Sequence, residues 1–337
     1  MKTSEVSTAK TKCLALFSGG LDSMLAIKLM SLQGIEVHAL NIDIGFGGDP
    51  NKIETMTKRA AMAGASFESV NVRSRYLQEV LFNPKFGYGK QFNPCIDCHG
   101  FMFRTAISML KDYGASFVIS GEVIGQRPMS QRNDAMVHVK NLALDTEDIV
   151  LRPLCAKLLK PTKVEREGLV DREKLLALNG RGRNPQLSLA KEFGFEDYET
   201  PGGGCLYTME SFANRIRDFI KFDKDMSEND LQSLRYGRHL RLLEGAKMII
   251  GRDENDNAHL EALNLDKMHS INFDDIVGAH SFISKDASKR DLEFGARLAI
   301  TYCKSDPSQI YTAKIGDLTI DVKPFEDKKV ASDFFIK

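Results

Sequence analysis

The sequence lacks any uninterrupted apolar run of about eighteen residues, the length that a membrane-spanning helix needs. Residues 1–12 are polar and hold no apolar core of a secretory signal, so the expectation is a cytoplasmic chain with no membrane partner. Net charge is also missing: 46 Lys and Arg balance 46 Asp and Glu. No global positive field draws the chain to nucleic acid, and such a partner must meet local basic patches. Internal repeats and low-complexity tracts are absent. The Walker pattern GxxxxGK[ST] does not occur. A second Cys-x-x-Cys or a His-x-x-x-His pair, the usual completion of a structural zinc site, is not found either. In a cytoplasmic setting the six cysteines are thiols, metal ligands or catalytic groups rather than structural disulfides.

What is present reads as a soluble globular protein. Apolar residues make up 42% and charged residues 27% of the 337 positions, enough for a sizeable core in one to three domains. Apolar runs at 13–17, 37–42, 67–72, 117–120 and 149–153 read as strands. They alternate with helical spacing at 24–30, 52–62 and 101–110. That alternation predicts an α/β domain, a parallel sheet with helices on both faces. Further helices are expected over 171–178 and over 185–193, the latter with Asn184 as N-cap and Pro185 at its first position. Past Cys205 the texture changes. Helices at 211–222 and 290–303, a capping box at Ser227 and Asp230, and short strands at 247–250, 276–283 and 318–322 predict a smaller α+β domain. The division is placed at 1–208 and 209–337.

The most telling stretch is Ser18-Gly19-Gly20-Leu21-Asp22-Ser23. It follows the first strand and opens the first helix. Glycines let backbone approach an oxyanion closely, and the free N–H groups of a helix start point at it. Ser18 and Ser23 add hydroxyls, and Asp22 can hold Mg²⁺ against phosphates. Three other segments also fall at the carboxyl ends of strands, where such sheets bind ligands: 41–48, 121–131 and 154–163.

Three cysteines stand out. Cys95 and Cys98 form a Cys-x-x-Cys just before a helix, where a helix end favours thiolate. Cys205 follows three glycines that clear space beside its sulfur. With His99 they supply a Cys₃His set for zinc. Cys95-x-x-Cys98-His99 also matches a c-type haem attachment pattern, which an unexported chain does not use. A redox dithiol, an iron–sulfur cluster with one open iron and a persulfide relay are the other readings. Cys13, Cys155 and Cys303 read as core packing.

Taken together, the motifs resemble a known superfamily. Ser18–Ser23 matches the SGGxDS signature of the PP-loop ATP pyrophosphatases, which cleave ATP to AMP and pyrophosphate. Asn93–Phe103, Gly121–Gln131, Arg152-Pro153-Leu154, Lys160-Pro161 and Gly203–Leu206 resemble the tRNA thiolation enzymes of that superfamily, the 2-thiouridylases and 4-thiouridine synthetases. The resemblance spans about residues 12–206. It implies an adenine nucleotide alpha hydrolase-like fold. It implies that Ser18, Gly19, Gly20, Asp22 and Ser23 hold the pyrophosphate end of ATP, that Asn41, Ile42 and Gly121 lie against the adenosine, and that Lys160 meets phosphate. Some such enzymes carry a [4Fe-4S] cluster on a Cys-x-x-Cys plus one distant cysteine, the layout of Cys95, Cys98 and Cys205; others use a two-cysteine persulfide relay. One departure is the lack of an N-terminal extension for a THUMP-type tRNA-binding domain. Tyr236–Leu242, 246–257 and Leu260 resemble an NFACT-R-like RNA-binding module. Arg235, Arg238, Arg241, Lys247 and Arg252 there are a candidate phosphate-binding patch, and Arg181 and Arg183 candidates for an RNA path.

The resulting expectation is an ATP-dependent tRNA sulfurtransferase. It adenylates a nucleobase carbonyl and replaces the oxygen with sulfur, using ATP, Mg²⁺ and a [4Fe-4S] cluster, with zinc or no metal as alternatives. Catalytic roles fall to Cys95, Cys98, Cys205, Asp22 and Lys160. Partners are tRNA and a sulfur donor: a cysteine desulfurase, sulfide or a carrier protein. Two other functions fit the same residues: an amide or nitrile synthetase with zinc on the cysteines, and a non-catalytic RNA-binding protein that uses ATP as a ligand.

Overall fold

A computed structural model describes residues 10–45, 50–199, 204–223, 225–274 and 276–336. The chain divides into two compact units, Met1–Gly203 and Gly204–Lys337.

The first unit is built on five parallel strands, β1 (Lys12–Leu16), β2 (Glu36–Asp43), β3 (Ala65–Asn71), β4 (Phe117–Ser120) and β5 (Val150–Leu151), in the order β3-β2-β1-β4-β5. Its helices are α1 (Leu21–Ser31), α2 (Pro50–Ala63), α3 (Arg73–Tyr76), α4 (Cys95–Met109), α5 (Asn133–Leu142), α6 (Lys163–Arg166) and α7 (Asn184–Glu192). Helix α1 is apolar almost all round, and Leu21, Met24, Leu25, Ile27 and Met30 are buried. Such a helix needs cover on several sides. The sheet, α2 and α7 supply it. Alternate strand residues divide between two faces: Cys13, Ala15, Val37, Ala39, Phe117 and Ile119 share the cluster with α1 and α2. Leu14, Leu40 and Val118 are buried outside that cluster, where α4 packs on the strands. The parallel α/β architecture read from the sequence is therefore present. Because β1 has β2 on one side and β4 on the other, the strand order reverses there, and a crevice opens beyond the carboxyl ends of β1 and β4.

The second unit is an antiparallel sheet of β6 (Arg238–Arg241), β7 (Lys247–Ile250), β8 (Met268–Phe273), β9 (Ser281–Ser284), β10 (Tyr311–Ile315) and β11 (Leu318–Val322), ordered β11-β10-β8-β9-β7-β6. Helices α8 (Glu210–Phe222), α9 (Glu228–Ser233), α10 (Glu254–Glu261) and α11 (Lys289–Thr301) accompany it. On α11, Leu292, Ala296, Ala299 and Ile300 pack with Leu240, Met248, Ile250, Ile271 and Ile283 in one apolar cluster. The capping box expected at Ser227 is formed, with Asp230 answering it.

Several expected elements differ. Residues 171–178 form only a short 3₁₀ turn, Arg172–Lys174, rather than a helix. The backbone N–H groups of Leu176 and Leu178 instead donate to Pro153 and Leu154 at 3.0 and 2.9 Å, so pairing with the segment after β5 displaces local helix formation. Asn184 is the first residue of α7, and Arg183 is the N-cap. The strand expected over 276–283 shrinks to β9, because the Asn257 side chain bonds the Gly278 carbonyl and the His280 N–H and holds that stretch as a loop. Strands β6, β8 and β10, and helices α5 and α10, carry no mark in the sequence reading.

Candidate active site

The loop from β1 to α1 has the shape that its sequence asks for. Gly19 adopts φ +80°, a left-handed conformation suited to glycine, and an added Cβ would come within 3.0 Å of Met56. Gly20 is the N-cap of α1 and no side chain caps the helix, which leaves its first N–H groups open toward the loop. The Ser23 hydroxyl donates to the Gly20 carbonyl at 2.7 Å and so braces the turn. Ser18 is exposed at the mouth of a pocket of about 240 Å³ that Asn51, Lys52, Thr55, Met56, Arg59 and Glu199 also line. Arg59 donates to the Gly19 carbonyl at 3.2 Å and makes a two-pronged pair with Asp197. The positions 52, 55, 56 and 59 form one face of α2, at the spacing of neighbouring turns. That face was the unread signal for a cationic wall beside the loop.

Gly121 closes the site from the other strand. A Cβ there would lie 2.5 Å from the Asp22 carbonyl carbon and the Ser23 nitrogen, so only glycine lets the end of β4 meet the start of α1. Asp22 itself is tied to two later segments. Its Oδ2 accepts from Gln126 Nε2 at 2.6 Å and lies 3.5 Å from an Arg183 nitrogen, while its Oδ1 is buried with no partner. Arg183, a candidate for an RNA path in the sequence reading, therefore stands at the loop. Lys160 is exposed, and among the described residues no hydrogen bond or ion pair engages its side chain. Asn41 and Ile42 sit at the carboxyl end of β2. The Asn41 amide is engaged inside the sheet, donating to the Phe17 carbonyl and accepting from Ser69, both at 3.1 Å. Ile42 is buried.

Cys95 is the first residue of α4, and Cys98 lies one turn on. The buried Asn93 amide donates to Cys95 Sγ at 3.2 Å. His99, next in the chain, is held by Glu122, the residue after Gly121: His99 Nδ1 is 2.6 Å from one carboxylate oxygen and Arg152 Nε is 2.7 Å from the other. Burial alone would raise the Glu122 carboxyl, but Arg152 and His99 outweigh it and hold it at about 2. Gly121 and Glu122 thus join the phosphate-loop backbone to the cysteine helix through two consecutive residues. Glu122 and Arg152 lie in motifs that the sequence reading quoted, but it gave them no role, since an acidic residue after a strand has no spacing pattern.

Cys205 belongs to the second unit, where it is exposed and starts a 3₁₀ turn, with its carbonyl accepting from Thr208. Gly202 and Gly203, expected to clear space beside its sulfur, lie outside the described residues. Among the described residues no group of three or more His, Cys, Asp or Glu side chains is arranged to hold a metal ion. Cys13 and Cys155 are buried; burial pushes the Cys155 thiol up to about 11, and its sulfur contacts the Glu122 carbonyl.

The basic residues of the second unit are internally engaged. Arg241 and Lys247 both pair with Asp218, Arg252 pairs with Asp256, and Arg238 donates to the Gly251 carbonyl over the ring of Tyr302. Lys247 is buried. Arg235 is half-buried on Gln232, and of the five only Arg252 is exposed. Among the described residues no helix is long and apolar enough to cross a membrane.

A parallel sheet whose first strand runs through a Gly-Gly turn into an uncapped helix, at the point where strand order reverses, defines an α/β domain with an open helix N-terminus at its switch point. Comparison with known proteins agrees with that class. The family model described as thiamine biosynthesis protein (ThiI) matches residues 8–160, and the model described as NFACT protein RNA binding domain matches residues 237–335. Both resemblances read from the sequence are thus present, one in each unit. A probable tRNA sulfurtransferase of Thermococcus kodakarensis is 30% identical over 150 residues, 41% of this chain and 39% of that protein. A tRNA-specific 2-thiouridylase MnmA of Pelotomaculum thermopropionicum is 27% identical over 127 residues, 33% of this chain and 35% of its own length. The chain therefore spans well under half the length of these curated relatives. A crystal structure of a 4-thiouridine synthetase–RNA complex with bound ATP is similar at 20% identity and a TM-score of 0.40, over 55% of this chain and 41% of that one.

Proposed function

We propose that this protein is an ATP-dependent tRNA sulfurtransferase acting in the cytoplasm on a uridine, of the 4-thiouridine or 2-thiouridine type. The observation that carries the reading is the junction at Gly121-Glu122: one strand end touches the phosphate-loop backbone, and its next residue holds the histidine beside Cys98. Phosphate chemistry and thiol chemistry thereby meet at one end of one sheet.

A base carbonyl is a poor leaving group. Attack of its oxygen on the α-phosphorus of ATP makes an adenylate and frees pyrophosphate. The open N-terminus of α1, the Ser18–Ser23 turn, Lys52, Arg59 and Arg183 supply positive potential for that pyrophosphate. Gly121 and the strand end at Asn41 and Ile42 form the wall for the adenosine. The unpartnered Asp22 Oδ1 suits a hard cation, and Mg²⁺ there would neutralise phosphate charge. Lys160, exposed in the loop after β5, is a further phosphate cation.

Sulfur enters through the thiols. Asn93 orients Cys95, so Cys95, loaded as a persulfide by the donor, attacks the activated carbon with its outer sulfur, and AMP leaves with the former carbonyl oxygen. Cys98 or Cys205 then attacks Cys95 Sγ, the S–S bond breaks to free the thionucleoside, and the disulfide left between the two cysteines is reduced by an external dithiol. The [4Fe-4S] reading places Cys95, Cys98 and Cys205 on one cluster. The two thiols one turn apart at the start of α4 suit two ligands of such a centre, with the third supplied by the second unit. The second unit binds the tRNA, and sulfur comes from an external donor.

Nucleoside mass spectrometry of tRNA from a strain without the gene is the decisive experiment. Loss of one thionucleoside, restored by the wild-type gene and not by Cys95→Ser, is the expected result. Unchanged thionucleosides overturn the reading. Anaerobic reconstitution with iron and sulfide, followed by metal analysis of wild type and Cys205→Ser, decides between cluster and persulfide.

A further inference from the structure

Asp22 is reached by an amide relay that no motif announces. Gln126, in the loop after β4, is buried and donates its Nε2 to Asp22 Oδ2 at 2.6 Å. Gln186, in the first turn of α7, is buried at 1% exposure and donates its own Nε2 to Gln126 Oε1 at 3.1 Å. Asp22, Gln126 and Gln186 come from three separate segments of the first unit. Two polar atoms of the set, Asp22 Oδ1 and Gln186 Oε1, are buried and unpartnered.

The chemistry of an amide makes the order of these contacts matter. A glutamine has one donor end and one acceptor end. The carboxylate of Asp22 accepts only, so Gln126 must present nitrogen to it. A flipped Gln126 would set oxygen against oxygen in a buried site. Gln186 prevents that flip, because its NH₂ group claims the Gln126 oxygen. The backbone beneath is fixed too: Gln126 N–H donates to Val123, and Gly125 N–H donates to Gln131 at 2.7 Å. Packing alone does not require this arrangement. A purely structural pair would satisfy both ends, since each buried polar atom left unpaired costs about 1–3 kcal/mol.

We infer that Gln126 and Gln186 are positioning residues: they fix the Asp22 carboxylate with one oxygen pinned and the other turned to the metal–phosphate end of the nucleotide. This inference rests on the reading of Asp22 given above and adds the groups that aim it. Supporting partners of this kind change metal affinity by about 10–100-fold when removed.

The test uses the full chain, Mn²⁺ as a paramagnetic stand-in for Mg²⁺, and the non-cleavable α,β-methylene analogue of ATP. Mn²⁺ affinity in the presence of the analogue is measured for wild type, Asp22→Asn, Gln126→Leu and Gln186→Glu, beside thermal melting of each. Gln186→Glu keeps volume but cannot donate to Gln126, so it carries the test if Gln126→Leu does not fold. The expected result is weakening of about tenfold or more for Gln126→Leu and a smaller loss of a few fold for Gln186→Glu, with both variants melting below wild type but still folded at the assay temperature. In tRNA-dependent ATP–pyrophosphate exchange, the same variants raise the KM for Mg-ATP more than they lower kcat. If Asp22→Asn loses affinity while both glutamine variants bind as wild type, the relay is packing only and the inference fails. If Asp22→Asn itself binds as wild type, the underlying reading of Asp22 fails and takes the relay with it.

Discussion

A buried carboxylate of the first unit, Glu122, and a buried lysine of the second, Lys247, are held in opposite ways. In the first, a single carboxylate, Glu122, sits between a cation and a histidine, and every oxygen has a partner. In the second, two cations, Arg241 and Lys247, share Asp218, and the half-buried Arg215 gives one nitrogen to the Leu234 carbonyl while its Nε has no partner. Burial lowers Arg215 to about 10 and Lys247 to about 8, with Asp218 offsetting part of the latter shift. The difference separates a carboxylate that the fold stabilises from a lysine that the fold tolerates. Opposite pH responses follow.

The largest effect is expected at Glu122. Replacing Arg152 with Leu leaves the carboxylate buried beside a histidine alone, and breaking such a pair costs about 3–5 kcal/mol. The pH dependence has a definite sign. Folding holds the Glu122 carboxyl at about 2 against 4.5, so its contribution is fully present above pH 4.5 and is lost as pH falls toward 2. That contribution is roughly 3 kcal/mol at about 1.4 kcal/mol per pH unit. Hydrogen exchange read peptide by peptide isolates β4 from the second unit. Protection of β4 that is the same at pH 5 and pH 3 would contradict the assignment.

Lys247 should behave in the reverse sense. Its ammonium is held at about 8 against 10.5, so the unfolded chain binds more protons between those values and stability rises with pH across that window. The rise is roughly 3 kcal/mol at most, and it should appear as stronger protection of β7 at pH 10 than at pH 8. Lys247→Met removes the titrating group and leaves Arg241 on Asp218. It should flatten the alkaline rise and cost little stability at pH 7, because a buried ion pair often exchanges for apolar packing without loss.

How much of this was legible in the sequence follows from the range of each interaction. The turn at Ser18–Ser23 and strands β1 to β4 were readable because apolar runs and glycines encode local geometry. So was β11, an isolated apolar run. Strands β6 and β10 mix Arg, His, Lys and Tyr with few apolar residues, and β8 alternates weakly, so their strand character comes from pairing partners far along the chain. The same limit applies at the site. Gly121 and Asp22 were both identified, but their contact was not, and neither Gln126 nor Gln186 has a local pattern. Arg241 and Lys247 looked like surface cations because sequence does not show that Asp218, on α8, lies beneath them.

Gly121→Ala ranks next. Its methyl group would meet backbone of Asp22 and Ser23 at 2.5 Å, and backbone does not yield as a flexible side chain does. Overpacking of this kind costs about 1–3 kcal/mol. The junction makes a sharper demand: exchange of pyrophosphate into ATP should fall even at temperatures where the variant remains folded by circular dichroism. A variant with unaltered exchange would separate the strand end from the phosphate loop.

The smallest effect, and the one that best sharpens the contrast between units, concerns Arg241 and Arg252. Arg241 is largely buried on Asp218 with its guanidinium over Phe222, whereas the Arg252 side chain is 48% exposed. Asp256, the partner of Arg252, also accepts from the N–H groups of Gly237 and Arg252 at Oδ2, so that oxygen keeps its partners when the guanidinium turns to a phosphate, while Oδ1 gives up its bond to Arg252 Nη2. Arg252→Ala should weaken binding of tRNA by only a few fold and reduce the slope of log affinity against log salt by up to about 1. Arg241→Ala should lower the stability of the second unit and leave that slope unchanged, because a cation already spent on a carboxylate releases no counterions from RNA. A full unit lost from the slope in Arg241→Ala would mean that Asp218 gives up its arginine when RNA binds, and the buried pair would then be a reserve of charge rather than a structural tie.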